Sequence, residues 1–249
     1  MKLTLFAVAL FCVRPVVSLE AQTPRSANPE RPTVATHAYT VASGFAELEQ
    51  GARAFGVNGL GEATSWDFNL KIGVRPGLQL GLFGAGYVRT GAGSGVGDVG
   101  LSLKVSQDIS PKTAIAIVPA MTVPSGDAGR GLGAGQMLGS LVGVVSADLP
   151  QGFHFDANAG PVGIGAGKPQ WFTSIGLAHG GAGGVGVATE LFDFTGGGAG
   201  PRQRGFLAAL MVTVADWVVV DAGVVRGLVD GTPDQVFLGM TTNLGRIFK

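Results

Sequence analysis

A single cysteine, Cys12, occurs in 249 residues, and it lies in an apolar stretch near the start of the chain. Beyond it neither a disulfide framework nor a thiolate metal site can form. Charge is scarce too: 14% of residues are Asp, Glu, Lys or Arg, against roughly 25% in soluble domains. The charges present cancel, 17 basic against 17 acidic, which excludes the basic footprint of a nucleic-acid binder. The histidines, His37, His154 and His179, are too scattered to suggest a metal site. Past residue 18 no apolar run approaches the roughly 18 to 20 residues of a membrane helix, although 46% of the chain is hydrophobic. The 43 glycines disfavour helix further, since each costs about 1 kcal/mol in a helix interior relative to Ala. An apolar, weakly charged, Gly-rich chain without a spanning helix points to strands.

The first 21 residues read as a secretory signal: Lys2, an apolar core from Leu3 to Val13, then small residues at Ser18 and Ala21. Arg14 and Pro15 interrupt the stretch too early for a membrane anchor, and Phe11 before Cys12 does not suit a lipoprotein signal. Residues 22–36, with Pro24, Pro29 and Pro32 among polar neighbours, read as a flexible periplasmic lead-in, and 37–249 as one all-β domain.

From His37 onward the period is two. Trp66, Phe68, Leu70, Ile72 and Val74 share one face, opposite Asp67, Asn69, Lys71 and Gly73. Val99, Leu101, Leu103 and Val105 oppose Asp98, Gly100, Ser102 and Lys104, and Phe153, Phe155, Ala157 and Ala159 oppose His154, Asp156, Asn158 and Gly160. Alternation of this kind gives a strand one apolar and one polar face. Residues 45–55, 78–88, 113–123, 171–179, 185–194 and 235–244 alternate with errors, and 136–149, 206–214 and 217–228 are partly apolar on both faces. That makes about twelve strands. The connections alternate long and short, the short ones at Pro76-Gly77, 108–112, 150–152 and Ala215-Asp216.

The same alternation fits a soluble sandwich, apolar side inward, or a transmembrane barrel, apolar side outward. Sparse charge, strands of about 9 to 11 residues and aromatics at strand ends (Trp66, Phe153, Trp171, Phe206) favour the barrel. The expected fold is therefore an antiparallel up-and-down transmembrane β-barrel of the Gram-negative outer-membrane kind. Its expected partners are outer-membrane lipid, the barrel-assembly machinery and a small-molecule solute, with no nucleic acid and no cofactor.

Several short motifs are similar to those of the MetA-pathway of phenol degradation family of transporter-like barrels. They are the Val41–Gly44 turn into Phe45-Ala46-Glu47-Leu48-Glu49, Ser94-Gly95-Val96-Gly97-Asp98, the Pro119 and Pro124-Ser125-Gly126-Asp127 strand and loop, Glu190, and Asp221 with Arg226-Gly227-Leu228. Their order, spread between Tyr39 and Phe248, carries the resemblance. It implies an outer-membrane channel for small, hydrophobic or aromatic solutes. One departure is at the end, where Phe248 is followed by Lys249, whereas barrels of this kind usually finish on an aromatic residue.

With the apolar faces outward, the polar faces line a lumen. The candidate lining residues are Glu49, Asp67, Lys71, Asp98, Lys104, Asp156, Glu190 and Asp221, with Glu47, Arg53 and His154 on the same faces. Two roles are open: a solute path steered by charge, or a plugged interior in which opposite charges pair. A lipid-modifying enzyme would need Ser140 or Ser146 beside His154. The Gly-rich runs at 91–97 and 126–135 lack a Gly-Lys-Ser/Thr ending and read as outer loops, in which Asp98 or Asp127 could loosely hold a cation.

Overall fold

A computed structural model describes residues 25–56 and 63–249; the expected signal segment lies outside the described residues. The alternating stretches form strands β1 Phe45–Phe55, β2 Ala63–Arg75, β3 Leu78–Thr90, β4 Gly93–Gly95, β5 Val99–Ser110, β6 Thr113–Val123 and β7 Leu138–Asp148. They continue with β8 Phe153–Ile164, β9 Gln170–Gly180, β10 Val185–Phe194, β11 Gln203–Ala215, β12 Val218–Gly227 and β13 Gln235–Arg246. Each pairs antiparallel with its neighbour, β1 pairs with β13, and β2 with β3, so the sheet closes on itself. Three-residue β4 only extends the edge of β3. The wall is therefore a closed antiparallel barrel of twelve strands, as the alternation predicts. Among the described residues no helix is long and apolar enough to cross a membrane.

The apolar side faces out. Leu101, Ile175, Leu210 and Leu238 are each 57 to 60% exposed, while Lys71, Lys104, Glu190 and Asp221 are buried. A soluble surface rarely carries so large an apolar area; a bilayer requires it. The sandwich reading is thereby excluded. Trp66 and Tyr87, paired across β2 and β3, stand outward with Trp171 and Phe206 near the long-loop end. Phe153, Trp217 and Phe248 stand outward near the short-turn end. Two aromatic rings so placed match the interfacial girdles of a membrane barrel.

The Gly-rich outer loops are anchored by hydrogen bonds. Asp98 accepts from the N–H groups of Gly126 and Ala134 (2.9 and 2.7 Å), and Ser125 Oγ accepts from Val99 N–H at 2.9 Å. Asp127 is held by Arg130, whose guanidinium also donates to the Ser94 carbonyl. Loop 124–137 is thus tied to the barrel mouth and to the β3–β5 connection. The two aspartates considered as cation ligands are occupied in this way.

Candidate functional site

The lumen is the only place where charged side chains from many strands converge among the described residues. Residues 25–36, expected as a flexible lead-in, enter it from the short-turn end together with 37–44. Ala27 N–H donates to the Asp216 carbonyl in the β11–β12 turn. The segment rises to Val34 and Ala35, level with Glu190 on β10, and returns past Ser146 and Gln79 to join β1. It is a re-entrant loop filling the short-turn half of the barrel.

Its seat is made largely by wall side chains that grip its backbone. Glu47 and Glu49 accept from the N–H groups of Asn28 and Glu30, both at 2.6 Å. Glu190 accepts from Val34 and Ala35 (2.6 and 2.9 Å). Asn158, Ser146 and Gln79 accept in turn from Thr36, Ala38 and Val41. Lys71 Nζ donates to the Asn28 carbonyl at 3.0 Å, and Lys104 Nζ to those of His37 and Tyr39. An extended segment has no partner strand for these groups, and a buried amide left unpaired costs about 1–3 kcal/mol. The inward polar residues meet that need. At Gly73 the carbonyls of Val41 and Ala42 come so close that a β-carbon there would overlap them.

Ion pairs finish the seat. Lys71 Nζ lies 2.6 Å from Glu47 and 2.8 Å from Glu49, and Lys104 Nζ 2.5 Å from Glu30 of the segment. Arg31 reaches Asp221 through Nε and Nη2, both at 3.1 Å. Pairing of this kind, with further hydrogen bonds from the segment's backbone, is what makes buried charge tolerable. Burial alone would push the Glu30 carboxyl up; Lys104 and Lys71 outweigh it and hold that pKa well below the usual carboxylate range. Burial and Lys104 together push His37 down from 6.5 to about 4, so this imidazole is neutral in the seated segment at neutral pH.

Seven of the eight candidate lumen residues therefore face the inside of the wall, and five of them touch the segment or its ion pairs: Glu49, Lys71, Lys104, Glu190 and Asp221. The sixth, Asp156, accepts from Ser146 Oγ at 2.5 Å and lies 3.2 Å from His154 Nε2. Asp67 pairs with Arg53 at 3.2 Å in the long-loop half, partly exposed, and Asp98 ties the outer loop instead. Ser146, Asp156 and His154 are neighbours, but the serine hydroxyl donates to the aspartate and its oxygen accepts from Ala38 N–H. The imidazole and the serine hydroxyl both bond to the same Asp156 oxygen.

Sequence reasoning missed the inward apolar residues. In the long-loop half Phe172, Phe192, Leu207, Val225 and Phe237 form a buried cluster with Ala35 of the segment, joined by Phe194, Val162 and Val142. Phe172 and Phe194 stack with centroids 4.6 Å apart. On the other side Ala114, Ala116 and Val144 pack with Ala38, joined by Tyr39, Val118 and again Val142. Part of the signal was present as strands apolar on both faces, 136–149, 206–214 and 217–228, which hold Val142, Val144, Leu207 and Val225; Phe172, Phe192 and Phe237 lie in stretches read as alternating. The segment itself had a fainter signal: opposite buried Glu190 the flanking strands offer only Gly176 and Leu207, so its partners had to come from elsewhere.

These features define a transmembrane β-barrel with a chain segment seated in its lumen. Solved outer-membrane barrels share the architecture. The COG4313 outer membrane channel from Pseudomonas putida F1 superposes with a TM-score of 0.62 at 13% identity, covering 83% of this chain and 98% of that one. The KdgM porin in complex with disordered oligogalacturonate gives 0.58 at 7% identity over 79% and 98%. The NanC porin gives 0.58 at 9% over 80% and 100%. No family model matches the sequence, and no curated protein aligns with it.

Proposed function

We propose that this chain is an outer-membrane channel passing small hydrophobic or aromatic solutes by passive or facilitated diffusion, held closed here by residues 25–41. The observation that carries this reading is the inner apolar strip. Val142 belongs to both inward clusters, so apolar side chains run from Phe172 and Phe194 in the long-loop half to Ala114 beside Tyr39 near the short-turn end. A polar solute would lose hydration along that strip without replacement; an apolar one would not. The similarity of the fold to solved porins and channels supports a conducting role, the motif resemblance to the MetA-pathway of phenol degradation family supports aromatic cargo, and the signal-like pattern of the first 21 residues supports export. Reconstituted protein lacking residues 25–41 should speed entry of toluene or phenol into liposomes well beyond the full-length chain, while a sugar gains less. A deletion variant that admits neither would overturn the channel.

A second reading, a surface-interaction barrel with a permanently filled lumen, is favoured by the dense bonding of the segment and the tethered loop 124–137. Removing 126–134 should then abolish binding to a cell or matrix surface, with permeability unaltered.

A further inference from the structure

The contact between Arg31 and the wall has the form of a ligand in a site. Its guanidinium meets the Asp221 carboxylate as a fork and stands over the Phe237 ring, Cζ 6.0 Å from the centroid. Both wall residues are buried. Space for the group comes from two inward-facing glycines in register, Gly51 on β1 and Gly239 on β13. A β-carbon on Gly51 would fall 2.6 Å from Arg31 Nη2, and one on Gly239 would overlap the same guanidinium. Carboxylate, aromatic face and a cleared slot are the elements that bind a planar organic cation. Phe237 is also a member of the apolar cluster with Leu207, Val225, Phe192 and Phe172, so the slot opens directly onto the apolar strip.

We propose that the Asp221–Phe237 slot is a cation subsite for amphipathic solutes with an aromatic or alkyl body and an amidinium, guanidinium or ammonium head, and that Arg31 occupies it as a tethered stand-in. The inference rests on the hydrophobic-channel reading and narrows its cargo. When the segment leaves, the buried wall keeps four carboxylates, Glu47, Glu49, Glu190 and Asp221, against Lys71 and Lys104, a balance that favours cations along the same route. Lys71 lies between Glu47 and Glu49, whereas Asp221 stands beside the Phe237 ring and the slot that Gly51 and Gly239 leave open, which makes Asp221 the head-group position.

The test uses benzamidinium and its neutral counterpart benzamide on the full-length barrel in detergent and in liposomes. Arg31→Gln, which keeps the stem and loses the charge, should bind benzamidinium roughly tenfold or more tightly than the unaltered chain, with benzamide little changed. Arg31→Lys should stay near the unaltered chain, and Asp221→Asn in the Arg31→Gln background should abolish the gain. Each variant is first checked for the gel shift on boiling that marks a closed barrel, and Arg31→Ala replaces any that fails. Equal gains for benzamidinium and benzamide, or no gain for either, would overturn the subsite. Flux of benzamide without preference for the cation would also overturn it and leave the channel standing. Tight benzamidinium binding with no flux of either compound would keep the subsite and overturn the channel.

Discussion

Replacing Glu190 by Gln should loosen the seated segment without opening the barrel wall. The carboxylate is 1% exposed and takes two backbone N–H groups, from Val34 at 2.6 Å and Ala35 at 2.9 Å. A Gln side chain has one accepting oxygen, and its NH₂ would face the second donor. One bond to a charged acceptor is lost, and the other falls to an ordinary neutral one. With charged hydrogen bonds at roughly 1.5–3 kcal/mol and neutral ones near 1, the loss is about 2–5 kcal/mol of seating free energy. That corresponds to a rise of roughly thirtyfold to several thousandfold in the released population. Cys12 is the only cysteine, so Ala38→Cys in a Cys12→Ser background carries one thiol, at a position that is 0% exposed. Its labelling by a membrane-impermeant maleimide reports release, because the rate follows the open fraction when opening and closing are fast. An unchanged labelling rate in Glu190→Gln, with the barrel still intact on gels, would refute the argument that Glu190 is there to hold the segment.

Other consequences are as definite. Leu101→Arg should destabilise the barrel in bilayers by about 2–4 kcal/mol while Ser102→Arg costs less, since one points into lipid and the other into the lumen; folding titrations that gave equal losses would mean the faces are exchanged. Gly73→Val places side-chain atoms against the Val41 and Ala42 carbonyls and should raise Ala38→Cys labelling as Glu190→Gln does; labelling unchanged from the parent would remove that close approach from the account. Acid should unseat the segment. His37 binds its proton less readily when seated, at about 4 against an ordinary 6.5, so the seat is fully stable above the higher value and weakens as pH falls towards the lower one. The depressed Glu30 carboxyl adds a loss in the same direction at still lower pH, starting below its ordinary 4.5. Permeability rising as pH drops from 7 to 5, and flat in His37→Phe, is the expected profile; closure on acidification would contradict the sign.

Most of the wall was legible because lipid and lumen impose opposite demands on successive residues. Strands Phe45–Phe55, Thr113–Val123 and Val185–Phe194 fall where alternation places them, and Trp66, Phe153, Trp171 and Phe206 stand outward. Alternation says nothing about what fills the lumen. Residues 25–44 form no strand-length pattern: their bonds run to side chains scattered from Glu47 to Asn243, a long-range arrangement with no period to read. The inner faces of β9 to β13 were obscure for a different reason. Phe172, Phe192, Leu207, Val225 and Phe237 are apolar where the period-two reading expects polar side chains, because they pack on one another and on Ala35 rather than on water. Asp98 was readable as inward but not as a loop anchor, since Gly126 and Ala134 reach it only once loop 124–137 folds over the mouth.

Hydrogen exchange of the protein in lipid bilayers tests the seated segment most directly. The amides of Asn28, Glu30, Val34, Ala35, Ala38 and Val41 donate to wall side chains, so they should exchange slowly, approaching the rates of the strand amides around them. Exchange of all six at the rate of an unstructured peptide, with the strands still protected, would show the lumen empty and contradict the account.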